Sequence, residues 1–305
     1  MNWDQARKWF SLRRPQQEAP PRAFRPRGDA LHIVRASSLC IASGKGGTGK
    51  SIVSSALATL LARSGRTLLV DADMGVGNAH ILQNRLPEHS LVEVAEGRRC
   101  ARDVLVSCRP QLDLLAAGSG VSHMAELTPL ELQLIAGGIE ELEGEYRHLV
   151  VDSAAGISPQ TVSFAAASDV VLILTTPDIT ALTDAYAFFK VLLQRRGDCT
   201  PLMLVNRATD AAEAQATAER FRSVARRFLQ REPRLIGWLP DDRAAVQSIA
   251  RREPVVVACP ESELSKSLVR LSVALEQELA RTHPRGLGRT LLRTVPAPAS
   301  KRAPA

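Results

Sequence analysis

The sequence predicts an α/β fold: a doubly wound, mostly parallel sheet with helices on both faces, forming a single domain with a flexible tail at each end. Three observations predict it. A glycine-rich stretch running from Gly44 to Ser51 joins a short apolar run to a helical one. Beyond it, near-continuous apolar runs alternate with helical segments, the pattern of parallel strands buried on both sides. The basic charge collects at the two ends of the chain. Residues 1–36 hold eight Lys and Arg against three acids, and residues 281–305 hold six against none. The body between them is slightly acidic although the whole chain carries +7, which argues against a globally basic, nucleic-acid-coating domain.

Composition sets the outer bounds. With 305 residues, 45% of them hydrophobic, the chain can bury a full core. No run of about 18 uncharged apolar residues is present, so nothing is expected to span a bilayer. The opening residues lack the apolar segment of a secretory signal, so a cytoplasmic location is expected. The five cysteines have no metal-ligand spacing and read as buried free thiols, and the six histidines are scattered.

Taken in order, residues 1–14 read as a short helix with Trp3, Ala6 and Phe10 on one face and Trp9 and Leu12 beside it. Residues 16–29, rich in Pro and Arg, read as a linker. The helix either docks on its own body or serves as a partner-binding peptide. Strands are expected at 39–42, 67–70, 112–116, 148–151, 170–174, 202–205 and 235–239, because each is a short apolar run bounded by breakers. Helices are expected at 51–63, 130–142, 181–195, 211–229, 243–252 and 261–281. Thr128 and Pro129 provide an N-cap and a proline at the first helical position. The domain is expected to occupy residues 36–282, between a 1–35 segment and a basic 283–305 tail.

Gly44, Gly49, Lys50 and Ser51 fit the spacing G-x-x-x-x-G-K-[ST] of a phosphate-binding loop. The glycines of Gly44–Gly46–Gly47–Thr48–Gly49 let backbone N–H groups turn onto anionic oxygens, and the helix N-terminus adds the positive end of its dipole. Lys50 is placed to reach the β- and γ-phosphates and the Ser51 hydroxyl to ligate Mg²⁺. Two neighbouring strands end in acids: Asp71 and Asp73 after 67–70, Asp152 after 148–151. Strand C-termini in such sheets face the ligand crevice. Asp152 is therefore expected at the metal, Asp71 behind it, and Asp73 as the group that orients an attacking water.

A second lysine, Lys45, follows Gly44 directly, giving K-G-G-x-G-K-S. In this form the loop resembles the deviant Walker A loop of the MinD/ParA family of dimerising ATPases, and the D-x-D-x-G and D-S-x-A-G-I phrases at Asp71 and Asp152 resemble that family's two switch segments. The resemblance covers nearly the whole chain. It implies ATP and Mg²⁺ as ligands, slow ATP hydrolysis, and an ATP-dependent homodimer in which Lys45 crosses to the partner's phosphates. It also implies adenine contacts at Asn206, Pro240 and Asp241. Val76–His80, Asp152–Ser158 and Pro177–Tyr186 look most like the FlhG branch, which limits flagellar number. That implies an FlhF-type GTPase, a flagellar transcription activator and flagellar switch components as partners. Asp4, Gln5 and Ala6 resemble that branch's D-Q-A-x-x-L-R peptide, with Trp9 and Phe10 standing where Leu-Arg is expected. A division-site or partition ATPase, or a nucleotide-binding interaction protein with negligible hydrolysis, are the other readings.

The 287–295 stretch reads either as a disordered basic tail or as a short basic helix whose Leu287, Leu291 and Leu292 contact an anionic membrane surface reversibly. Burying these three together with Val295 stabilises by roughly 6–10 kcal/mol at most. Ordering nine residues costs about 9–18 kcal/mol. A single tail is therefore expected to bind weakly, and two tails on one dimer more firmly. The basic run at 219–227 lacks interleaved aromatics and reads as a solvated helix face, so no nucleic-acid partner is expected.

Overall fold

The computed structural model describes residues 35–118 and 126–294. In chain order the elements are β1 (Ser37–Ser43), α1 (Lys50–Leu61), β2 (Thr67–Ala72), α2 (Ala79–Leu82) and α3 (Leu91–Ala95). A short 3₁₀ turn then leads to β3 (Leu105–Arg109), β4 (Leu112–Leu115), α4 (Pro129–Glu143), β5 (His148–Ala155), α5 (Pro159–Ala167) and β6 (Val170–Thr175). The chain continues through α6 (Ile179–Arg195), β7 (Leu202–Ala208), α7 (Ala211–Leu229), β8 (Arg234–Pro240), α8 (Ala244–Arg251), α9 (Val255–Ala258), α10 (Glu263–Arg281) and α11 (Leu287–Thr294).

The strands form one sheet in the order β3-β4-β2-β5-β1-β6-β7-β8, parallel throughout except for the β3–β4 hairpin. Alternate residues of each central strand feed two separate cores. Leu39, Ile41, Leu69, Val150 and Leu172 pack under α1, α9 and α10. Cys40, Ala42, Val70, Val151 and Ile173 pack under α3 to α7 and α11. That two-sided burial is why these strands read as unbroken apolar runs.

Helix starts follow local chemistry. Thr128 caps α4 by accepting from Glu131 N, while Glu131 accepts in return from Thr128 N at 2.7 Å, a reciprocal capping box. Asp178 caps α6 without a reciprocal bond, its side chain accepting from Ala181 N at 2.9 Å. All seven expected strands are present, and β5 and β7 run further than expected at their C-terminal ends.

Five elements escaped the sequence reading: the short helices α2, α3 and α9, the strand β3 and the helix α5. β3 is a polar-interrupted edge strand, turned into β4 at Pro110 and Gln111, the latter at φ 61°. α5 is buried nearly all round, so its sequence shows no amphipathic period. Its Ser158-Pro159 start carries the same cap-then-proline signal as α4 and was readable there.

The C-terminal expectation is corrected. The folded body does not stop at residue 282, because α11 is docked on α4 and α5. Leu287 and Leu291 are fully buried, and Leu292 packs against the core they join. Gly288, expected to favour disorder, instead permits the contact: a Cβ there would lie 2.3 Å from Glu140 N and 2.5 Å from Ala136 O. Glu143 accepts from Gly288 N at 3.2 Å, and Arg285 donates to the carbonyls of Ala166, Ala167 and Ser168 at the end of α5. The leucines expected to meet a membrane are thus occupied by the protein itself. The thiols are free, and Cys100 is exposed rather than buried. No described helix is long and apolar enough to cross a membrane.

Candidate functional site

β1 ends at Ser43 and α1 begins at Lys50, so the glycine loop sits at the C-terminal edge of the central strands. Three glycines there are dictated by geometry. Gly47 and Gly49 adopt φ 77° and 95°, the left-handed region that costs other residues strain. A Cβ on Gly49 would come within 2.5 Å of Asn206 Nδ2, and one on Gly44 would overlap the carbonyl of Asp184 in α6. The loop is therefore clamped between α6 and the end of β7. Asn206 Nδ2 donates to Thr48 O at 2.8 Å, which ties the β7 end to the loop.

The two lysines differ sharply. Lys50 is 7% exposed and donates to Ser43 Oγ at 2.9 Å, inside its own loop. Desolvation pulls its ammonium below the ordinary lysine range, and Asp152 and Asp73 oppose that effect. Lys45 stands at the surface, its side chain 42% exposed, 3.5 Å from Asp178 Oδ1 and donating to Thr180 Oγ1.

β2 and β5 are register neighbours, with Asp71 directly opposite Asp152. Both carboxylates are buried. Asp71 accepts from Asp73 N at 3.2 Å and from Ala79 N at 3.1 Å, so it organises the turn after β2. Asp73 in turn accepts from Val76 N at 3.3 Å. Asp152 Oδ1 accepts from Ser54 Oγ at 3.0 Å, and the Ser51 hydroxyl favours the ionised form of the same carboxylate. Burial pushes Asp152 up to about 6 despite the hydroxyls and Lys50 that oppose it. Asp71 is raised as well, first by burial and then by the charge of Asp152.

Asp152 Oδ2 is buried with no hydrogen-bond partner. An orphaned carboxylate oxygen beside a serine hydroxyl, under a phosphate-type loop, fits one edge of a hydrated Mg²⁺. Among the described residues no cluster of three or more His, Cys, Asp or Glu forms an all-protein cage. Mg²⁺ does not require one, since it keeps several waters.

A cavity of about 290 Å³ opens beside the loop, lined by Gly47, Gly49, Ile52, Asn206, Pro240, Asp241, Val246 and others. The structure thus brings Asn206, Pro240 and Asp241 together as expected, while Asp241 pairs with Arg207 at 3.4 Å. Sequence reasoning missed the apolar wall of Ile52, Val246 and Ile249. Its one available signal was the position of α8 immediately after β8. It also missed Ser54 and the Asp178–Thr180 pair. Asp4, Gln5, Ala6 and Trp9 lie outside the described residues. On α7, Arg222 and Arg226 share Glu232 at 3.0 and 2.7 Å, so that basic run is partly neutralised.

Residues 39–255 match the family described as the CobQ/CobB/MinD/ParA nucleotide binding domain. The chain is 32% identical over 258 residues to the antiactivator FleN of Pseudomonas aeruginosa, covering 84% of this chain and 91% of that one. It is 28% identical over 243 residues to the flagellum site-determining protein YlxH of Helicobacter pylori, covering 79% and 82%. Among solved structures it is similar to the septum site-determining protein MinD of Pyrococcus horikoshii complexed with Mg-ADP. The TM-score there is 0.67 at 22% identity, over 80% of this chain and 97% of that one.

Proposed function

This chain belongs to the CobQ/CobB/MinD/ParA family of nucleotide-binding domains, the MinD/ParA-type ATPases, and we propose on that premise that it is an ATP-dependent dimerising switch controlling flagellar number and placement. The observation that carries the switch is the contrast between the two lysines. Lys50 is committed to its own loop, whereas Lys45 stands at the surface. Three apolar side chains in the segments that follow β2, β5 and β6 are also exposed: Val76 by 68%, Ile157 by 50% and Ile179 by 76%. A second copy laid over this face covers those side chains and takes Lys45 to its own phosphates.

In this reading the backbone of Gly44–Ser51 cradles the phosphates, Lys50 neutralises their charge, and the base lies in the cavity against Asn206, Pro240 and Asp241. Ser51 and Asp152 hold Mg²⁺, whose role is to offset charge on the β- and γ-oxygens. Asp71 fixes the turn that carries Asp73, and Asp73 orients the attacking water. Chemistry of this kind is mostly positioning, so a lone subunit without the partner's lysine hydrolyses slowly. The ATP form engages partners, among them an FlhF-type GTPase, a flagellar transcription activator and flagellar switch components, and hydrolysis releases them.

The flagellar assignment rests on the likeness to FleN and YlxH over most of the chain. It is tested in cells by counting flagella in a deletion strain carrying wild-type protein or Asp73→Ala. Wild-type protein restores the normal count and placement, and Asp73→Ala does not. Normal flagella with misplaced septa in the deletion strain would contradict the assignment and favour a division-site role.

A further inference from the structure

The described chain gives Lys45 a specific resting place. Its ammonium lies 3.5 Å from Asp178 Oδ1 and donates to Thr180 Oγ1, two residues about 135 positions away in sequence. The acceptor is built rather than accidental. Asp178 Oδ1 receives Ala181 N at 2.9 Å and the Thr180 hydroxyl at 2.5 Å, and Oδ2 receives the Thr176 hydroxyl at 2.6 Å. Three hydrogen bonds and the start of α6 fix the carboxylate before the lysine arrives. Those donors also hold Asp178 ionised, well below the usual carboxylate range, with the Thr176 hydroxyl contributing most. Gly44, directly before Lys45, has no room for a Cβ against the Asp184 carbonyl of the same helix. The start of the loop and the start of α6 therefore sit together as one unit.

We propose that Asp178 and Thr180 park Lys45 in the lone subunit, making Asp178 a positioning residue that sets how readily a second copy is captured. This rests on the reading above, in which Lys45 serves the partner's nucleotide. A lysine that must cross to another subunit has to leave Asp178 first, so every dimer forms at the expense of two ion pairs. Both groups are about half exposed, which limits each pair to about five-fold in an equilibrium constant. A symmetric dimer breaks two, so the combined effect is roughly 2- to 25-fold. That range suits a threshold: too weak to prevent assembly at saturating ATP, strong enough to keep subunits apart when nucleotide or protein is scarce.

The test uses sedimentation of the full chain with a non-hydrolysable ATP analogue and Mg²⁺, comparing wild type, Asp178→Asn, Thr180→Ala and Lys45→Ala. Asparagine keeps the helix cap while removing the charge, and Thr180→Ala removes a lysine acceptor and one of the hydroxyls that fix Asp178 while leaving its bond from Ala181 N. The expected result is dimerisation tightened about 2- to 25-fold by Asp178→Asn at low salt and by a smaller factor in Thr180→Ala. The gap between wild type and Asp178→Asn should close at high salt, because an exposed pair is screened; a purely structural effect on α6 has no such dependence. Unchanged or weaker dimerisation in both variants, with wild type dimerising and Lys45→Ala monomeric, overturns the parking role and leaves the dimer switch intact. A wild type that stays monomeric overturns both.

Discussion

Gly49 and Gly46 lie three residues apart in one loop, yet the structure assigns them opposite tolerances. Gly49 sits at φ 95° with Asn206 Nδ2 2.5 Å from where a Cβ would go, whereas Gly46 faces open space. Gly49→Ala is expected to cost about 1–3 kcal/mol of stability through backbone strain and to weaken ATP binding by breaking the Asn206–Thr48 tie. Gly46→Ala is expected to leave stability within about 0.5 kcal/mol of wild type. Urea unfolding with and without nucleotide reads both. At Asp152 the sign of the pH dependence follows from burial. Its folded-state value, about 6, lies above the ordinary 3.8, so between those values the folded state holds more protons than the unfolded chain. Its contribution is therefore lost as pH rises from about 4 to about 6, and Asp71 acts in the same direction. The nucleotide-free wild type should lose stability relative to Asp152→Asn across that window. Mg²⁺ and nucleotide should remove the difference at neutral pH by giving the orphaned oxygen a cation. Thermal unfolding of both proteins from pH 4 to 7.5 checks this.

At the scale of an element, α11 shows how a docked helix overturns a reading made on the helix alone. Its leucine spacing, taken in isolation, gives too little burial to offset ordering, which leaves a loose tail and a weak membrane contact as the two readings. The docking groove supplies the missing burial. Leu287 and Leu291 enter a core already built by α4 and α5, and Gly288 lets the backbones approach. Buried Glu143 and the three-carbonyl grip of Arg285 fix the helix start. Leu291→Ala is expected to destabilise the protein by about 2–5 kcal/mol, as truncation of a fully buried leucine does. Gly288→Ala is expected to cost about 1–3 kcal/mol by forcing α11 off α4. Both are read from the denaturant midpoint of the full chain. A free tail predicts no shift for either.

For the whole molecule, what was legible in the sequence was what local chemistry dictates. The glycine loop, the acidic ends of β2 and β5 and the alternating apolar runs placed the parallel sheet and the site's charged residues. What was hidden depends on contacts between distant segments. β3 gains its strand form only by pairing with β4, and α5 carries no period because both its sides are buried. The wall of Ile52, Val246 and Ile249 forms where α1 and α8 meet across the loop. Asp178 reads as an ordinary helix cap until the fold brings Lys45 against it. Whether Lys45 completes a second copy's site is read from the solution mass of the full chain with ADP, with ATP, and with ATP in Lys45→Ala. The mass should double with ATP, stay single with ADP, and stay single with ATP once Lys45 is removed. One mass in all three conditions, or a Lys45→Ala protein that doubles like wild type, would contradict it.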